Sequence, residues 1–114
     1  MVENCIFCRI VNHEIPAKII YEDDQVVAFH DISPKAPVHV LIIPKKHIPT
    51  LAHVQEEDLP LIAHIHKVVL QLQQELGLQN GFRLIANCDK GGGQEVFHLH
   101  YHMLGGGKIE AFPE

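Results

Sequence analysis

The sequence predicts a single α+β domain, residues 1–114, built on a mostly antiparallel sheet. Three observations carry this prediction. Short β-rich runs follow one another through turns too brief for crossover helices, which favours antiparallel pairing. One long stretch has helical period, and the final run of the chain alternates every second residue. The expected order is a short helix, a strand pair, a third strand, a long helix and two last strands.

Each element has a local reason. Residues 18–22 and 25–30 are rich in Ile, Val, Tyr and Phe, and Asp23-Asp24 between them suits a tight hairpin. Residues 38–43 form a nearly continuous aliphatic strand closed by Pro44. From 55 to 76, Ile62, Ile65, Val69, Leu72 and Leu76 follow helical spacing, with Pro60 near the start and Gly77 at the end. Residues 82–87 and 96–104 are the last strands, separated by the loop 88–93 with Gly91-Gly92-Gly93. No repeat or linker divides the chain.

Composition bounds the function. Hydrophobic residues make up 46% and charged residues 20%, a globular balance without a low-complexity run. The net charge of −5, with no basic run longer than Lys45-Lys46, argues against binding a nucleic-acid backbone. No apolar run is long enough to span a bilayer, so no membrane partner is expected. Glu3 stands where a signal peptide would carry positive charge, and three cysteines make no disulfide framework. The cytoplasm is the expected compartment. At this size, pairing with a second copy would add useful burial.

The chemistry is concentrated in Val96-Phe97-His98-Leu99-His100-Tyr101-His102-Met103-Leu104. On an extended backbone His98, His100 and His102 share one face, which makes a chemical surface rather than a packing pattern. Metal binding and nucleophilic catalysis could both use it. At about 3.3 Å per residue, His98 and His102 lie roughly 13 Å apart, too far to share one ion. Two of them could still share one with His39. In the nucleophile reading, the middle histidine, His100, attacks, and its neighbours bind or protonate the reacting group.

The block Gly93-Gln94-Glu95-Val96-Phe97-His98-Leu99-His100-Tyr101-His102 resembles the signature of the histidine triad superfamily of nucleotide hydrolases and transferases. The stretches Phe29-His30-Asp31-Ile32-Ser33-Pro34-Lys35-Ala36-Pro37-Val38-His39 and Ile43-Pro44-Lys45-Lys46-His47-Ile48 resemble its short nucleotide-binding branch. The resemblance implies a five-stranded sheet with one long and one short helix, and a homodimer that joins two sheets into one of ten strands. It also implies hydrolysis of the P–N bond of purine nucleoside 5′-phosphoramidates, an AMP-type substrate, through a nucleotidyl-histidine. His100 would be the nucleophile and His102 or His39 the proton donor, with the roles of His39, His98 and His102 left open. Related activities are dinucleoside polyphosphate hydrolysis, nucleotidyl transfer or non-catalytic nucleotide binding.

The same resemblance places Gly93, Gln94 and the following amides, Glu95 and Val96, beside the α-phosphate. It places Asn87 at ribose or phosphate oxygens, Asp31 at the ribose hydroxyls, and Phe7, Ile10, Ile15, Phe29 and Ile32 around the base. Glu95 departs from the serine many relatives carry, and a carboxylate cannot donate there unless protonated. The segment 105–114 would cross to the partner's site. Finally, Cys5-Ile6-Phe7-Cys8 is a weak motif alone. The resemblance pairs Cys5 and Cys8 with His47 and His98 as a structural Zn²⁺ site and implies no organic cofactor.

Overall fold

The computed structural model describes residues 4–107. A short helix, α1 (Ile6–Val11), precedes strands β1 (Ile19–Glu22), β2 (Val26–His30) and β3 (Val38–Pro44). The long helix α2 (Leu59–Glu75) follows, then β4 (Phe82–Ile85) and β5 (Tyr101–Gly105). All strands pair antiparallel in the order β1-β2-β3-β5-β4.

Both faces of the sheet centre are covered, and the strand sequences show why. On β2 and β3, Val26, Ala28, Val40 and Ile42 face α2 and pack with Ile65, Val68, Val69 and Leu72. The alternate residues Val27, Phe29, Leu41 and Ile43 face α1 and pack with Phe7, Cys8 and Ile10. A strand buried on both sides reads as a continuous apolar run rather than as an alternation, as 38–43 does.

Local chemistry sets the ends. Asp23 closes the β1–β2 hairpin by accepting from the Gln25 and Val26 amides at 2.7 and 2.9 Å. The same carboxylate takes bonds from the Tyr21 hydroxyl and from His64 on α2, which ties helix to hairpin. The helix ends in a Schellman motif. Gly77 has φ +69, its N–H reaches Gln74 O at 3.3 Å, and the Leu78 N–H reaches Gln73 O at 2.9 Å.

One expectation differs. Residues 96–100 are not strand, and β5 begins at Tyr101. His98 and His100 therefore do not share a strand face with His102, and the alternation that marked them is not a β pattern. The segment runs beside the residues that follow β3 instead, tied by the Leu99 amide to Ile48 O at 2.6 Å. No helix among the described residues is long and apolar enough to cross a membrane. The far C-terminal residues 108–114, expected at the partner's site, lie outside the described residues.

Candidate active site and candidate metal centre

Helix α1 is only six residues long and covers the β1-β2-β3 side of its face. The β3-β5-β4 side is left open, and there a cavity of about 310 Å³ forms. Antiparallel register brings its walls together. Leu41 faces His102, His39 faces Leu104 and Ile85 faces His102 across the ladder, so all five residues share this face. Phe7, Asp31, Ser33, Lys35, Asn87, Gly93, Glu95, Val96 and His100 complete the lining.

The hydrogen bonds determine which nitrogen each imidazole offers, because a carbonyl only accepts and a backbone amide only donates. His100 Nδ1 lies 2.8 Å from His98 O, so it carries the proton and leaves the Nε2 lone pair unused. The Lys35 amide donates to His39 Nδ1 at 3.0 Å, so neutral His39 carries its proton on Nε2. That nitrogen is 2.9 Å from His102 Nδ1 and 3.5 Å from Asp31 Oδ2, and the shorter contact makes His102 Nδ1 the acceptor. Neutral His102 is left with an N–H on Nε2.

These imidazoles are neutral at pH 7. Burial holds His39 and His100 below the ordinary imidazole value. It pushes His102 down to about 4, aided by positive charge on His100 and His39 and opposed by Asp31. The stability consequence has a definite sign. Between about pH 6.5 and 4 the unfolded chain holds a proton on His102 that the folded chain lacks, so stability falls as the solution is acidified. His102→Gln, whose amide oxygen can still accept from His39, should flatten that fall by about 2 kcal/mol after allowance for partial solvent screening. Urea titrations of both proteins at pH 7 and 4.5 check it; parallel losses would contradict it.

Gln94 is placed otherwise than expected. Its side chain is 5% exposed and does not line the cavity. It donates to Pro49 O and Val96 O and accepts from the Asp89 amide, all at 2.8 to 2.9 Å. Asp89 sits at φ +62, a conformation this clamp enforces on a residue that seldom adopts it. The loop is therefore rigid where it meets the cavity. Among the described residues, the Glu95 and Val96 amides have no hydrogen-bond acceptor.

Of the expected base-contact residues, only Phe7 lines the cavity. Ile10 and Phe29 are buried in the core behind it, and Ile15 packs against that core. Ile32 is 99% exposed and lies outside the lining. Ser33, Lys35, Leu41, Ile85 and Leu104 line the cavity without having been singled out. Lys35 had a usable signal, since it lies between Pro34 and Pro37, neither of which has an N–H to give His39.

His98 is separated from the cavity. Its Nε2–H donates to Pro44 O at 2.7 Å, and its Nδ1 lone pair faces Cys5 Sγ at 3.4 Å, Cys8 Sγ at 3.6 Å and His47 Nδ1 at 3.2 Å. Cys8 Sγ is 3.2 Å from His47 Nδ1. A tetrahedral zinc with Zn–S of about 2.3 Å and Zn–N of about 2.05 Å would space nitrogens about 3.3 Å apart and sulfur from nitrogen about 3.5 Å. The four donors fit such an ion, and the Pro44 carbonyl behind His98 is the outer partner a metal-bound histidine uses. Asp31, His39 and His102 also cluster. They fit a metal poorly: an ion on His39 Nε2 would force a proton onto Nδ1, against the Lys35 N–H.

A family model described as the HIT domain matches residues 12–109. The protein HitA of Neisseria gonorrhoeae is 49% identical over 104 residues, 91% of this chain and 97% of that protein. The solved structure of a HIT family hydrolase from Legionella pneumophila has a TM-score of 0.93 at 48% identity, covering 97% of this chain and all of that one. A histidine triad protein from Clostridium difficile has a TM-score of 0.95 at 46% identity, covering 99% of each chain. With its fold and nearly its whole length matched, the chain belongs to the HIT domain family.

Proposed function

We propose that this protein hydrolyses the P–N bond of purine nucleoside 5′-phosphoramidates through a covalent nucleotidyl-histidine. The observation that carries this reading is the unused Nε2 lone pair of His100 on the wall of a nucleotide-sized cavity. A neutral imidazole with its other nitrogen fixed to a carbonyl is a nucleophile that needs no deprotonation. The hydrolase description of the Legionella relative supports the reaction class.

In the first step, His100 Nε2 bonds to the α-phosphorus and the P–N bond to the amine breaks, its electron pair leaving on the amine nitrogen. That nitrogen needs a proton, and His102 Nε2–H is the donor left by the Lys35–His39–His102 chain. His102 donates it as an imidazolium: a second proton enters at Nδ1 as the anionic substrate binds, and His39 Nε2–H turns to Asp31 Oδ2, 3.5 Å away, which offsets the added charge. The free Glu95 and Val96 amides and the Lys35 ammonium receive the phosphoryl oxygens. Water then attacks phosphorus, its proton passes to neutral His102, and the electron pair of the P–N bond returns to His100, releasing a nucleoside monophosphate. Asp31 and Asn87 hold the ribose, and Phe7, Leu41, Ile85 and Leu104 provide the apolar wall for the base.

Cys5, Cys8, His47 and His98 would hold a structural zinc ion. A closed set of four protein ligands leaves no position for substrate, so the ion would supply rigidity rather than Lewis-acid chemistry. A homodimer is part of the proposal. The outer edge of β4 pairs with no other described strand, and Leu70 of α2 is 62% exposed, so both offer surface to a second copy.

Incubation with adenosine 5′-phosphoramidate, followed by intact-mass spectrometry and product analysis, tests the reading. A transient adduct of one AMP per chain with release of AMP and amine is expected. Turnover of diadenosine polyphosphates alone, to AMP and a second nucleotide, would replace the substrate class. Nucleotide binding without adduct or turnover would replace the enzyme with a binding protein.

A further inference from the structure

We infer that the Cys5–Cys8–His47–His98 cluster is a positioning device for His100: the metal it holds sets the tautomer of the attacking imidazole through the His98 backbone and the Phe7 ring. The inference rests on the nucleotidyl-histidine reading and deepens it by naming what orients the nucleophile.

Two routes join the cluster to His100. The first is His98. Its ring is held at both nitrogens, Nδ1 in the cluster and Nε2 on Pro44 O, and its own carbonyl accepts the His100 Nδ1–H at 2.8 Å. A ligand anchored at both ring nitrogens leaves its backbone little room to turn, so the acceptor for His100 stays in place. The second is Phe7, which lies between the two cysteines on the first turn of α1. Its ring meets His100 edge-on with centroids 5.1 Å apart and planes at 88°, and meets His98 at 6.0 Å and 72°. Cys5 caps this turn by accepting the Cys8 amide on its sulfur at 3.3 Å, so metal on both sulfurs would fix the Phe7 ring against the histidine.

Without the metal, each route loosens. His98 Nδ1 and His47 Nδ1 face each other at 3.2 Å and the two sulfurs lose their common bond. The His98 carbonyl and the Phe7 ring are then freed to shift together. An imidazole that loses its carbonyl acceptor exchanges tautomers, and the Nε2–H form presents a proton instead of a lone pair to phosphorus. Displacement of a reacting group by about 1 Å costs on the order of 100-fold in rate. A purely structural metal would lower melting temperature without changing the His100 tautomer, so the two roles separate.

The test is long-range ¹⁵N–¹H correlation NMR of the full chain, zinc-loaded, chelated and reloaded with Cd²⁺, with kcat and the Kd for AMP measured on the same samples. The loaded protein should show His100 protonated at Nδ1. The chelated protein, folded by circular dichroism in the cold, should show a tautomer mixture. Its kcat should be about 100-fold lower with AMP affinity within about threefold, and Cd²⁺ should restore both. An unchanged His100 signal in a folded, metal-free protein overturns the inference, as does a purified chain that takes up no zinc or cadmium. If the metal-free chain does not fold, Phe7→Leu with metal still bound decides: a tautomer mixture supports the inference and an unchanged His100 signal overturns it. The tautomer is read without turnover, so a protein that hydrolyses no phosphoramidate refutes the proposed function while this result still stands by itself.

Discussion

His100→Ala is expected to lower kcat/KM for an adenosine phosphoramidate by at least about 10⁴-fold and to abolish the covalent adduct, while AMP affinity changes by less than about tenfold. The large effect follows from how the other imidazoles are committed. His98 has both ring nitrogens engaged away from the cavity, one at Pro44 O and one among the cysteines. His102 accepts from His39 on Nδ1 and keeps a proton on Nε2, and His39 is bonded at Nδ1 and protonated at Nε2. No second lone pair faces the substrate, so no neighbour can take over the attack. Binding survives because Asp31, Asn87, the loop amides and the apolar wall remain. His100 is buried against Phe7, so melting curves must accompany the kinetics. An adduct or near-normal turnover in a folded His100→Ala protein would sink the mechanism.

Metal removal is the second large expected effect. The purified protein should contain one zinc per chain. Stripping it, or replacing both cysteines (Cys5→Ser with Cys8→Ser), should lower Tm by more than about 10 °C. Cys5, Cys8 and His98 are buried and His47 is partly buried, and burial pushes the Cys5 thiol above its usual pKa, so the Cys5 thiolate that a metal needs is costly without it. The ion would tie α1 to the β3 end and to the segment before β5, three pieces far apart in sequence. Loss of about 2–4 kcal/mol in a domain of this size corresponds to roughly 10–30 °C. A metal-free protein whose Tm is indifferent to chelator would show the four donors to be packing residues. The stability loss and the kinetic loss are separable, because melting reports the clip while the His100 tautomer reports the coupling.

Much of the fold was legible locally. The β2–β3 aliphatic runs, the Asp23 turn and the Gly77 stop each state their structure through propensity or a cap. Residues 96–100 misled because an alternating pattern there serves two different sites rather than one strand face. His98 points to the cysteines and His100 to the cavity. Gln94 misled differently. A polar residue beside a glycine loop suggests a ligand contact, yet its amide satisfies the Asp89 N–H of that loop, the Val96 carbonyl after it and the Pro49 carbonyl 45 residues away. The apolar residues Ile10 and Phe29 lie in the core, as bare burial statistics favour.

The sequence by itself determined the order of helices and strands, apart from residues 96–100, and the set of chemical groups available: imidazoles, thiols, the Asp31 and Glu95 carboxylates and a glycine-rich loop. Only the tertiary structure decided which nitrogen each imidazole offers, and to what. A histidine's tautomer is set by the acceptor or donor that its other nitrogen meets. For His98 that partner is the Pro44 carbonyl, 54 residues away along the chain, and for His102 it is His39, 63 residues away. Such partners are brought together by strand pairing and packing, so no local pattern encodes them.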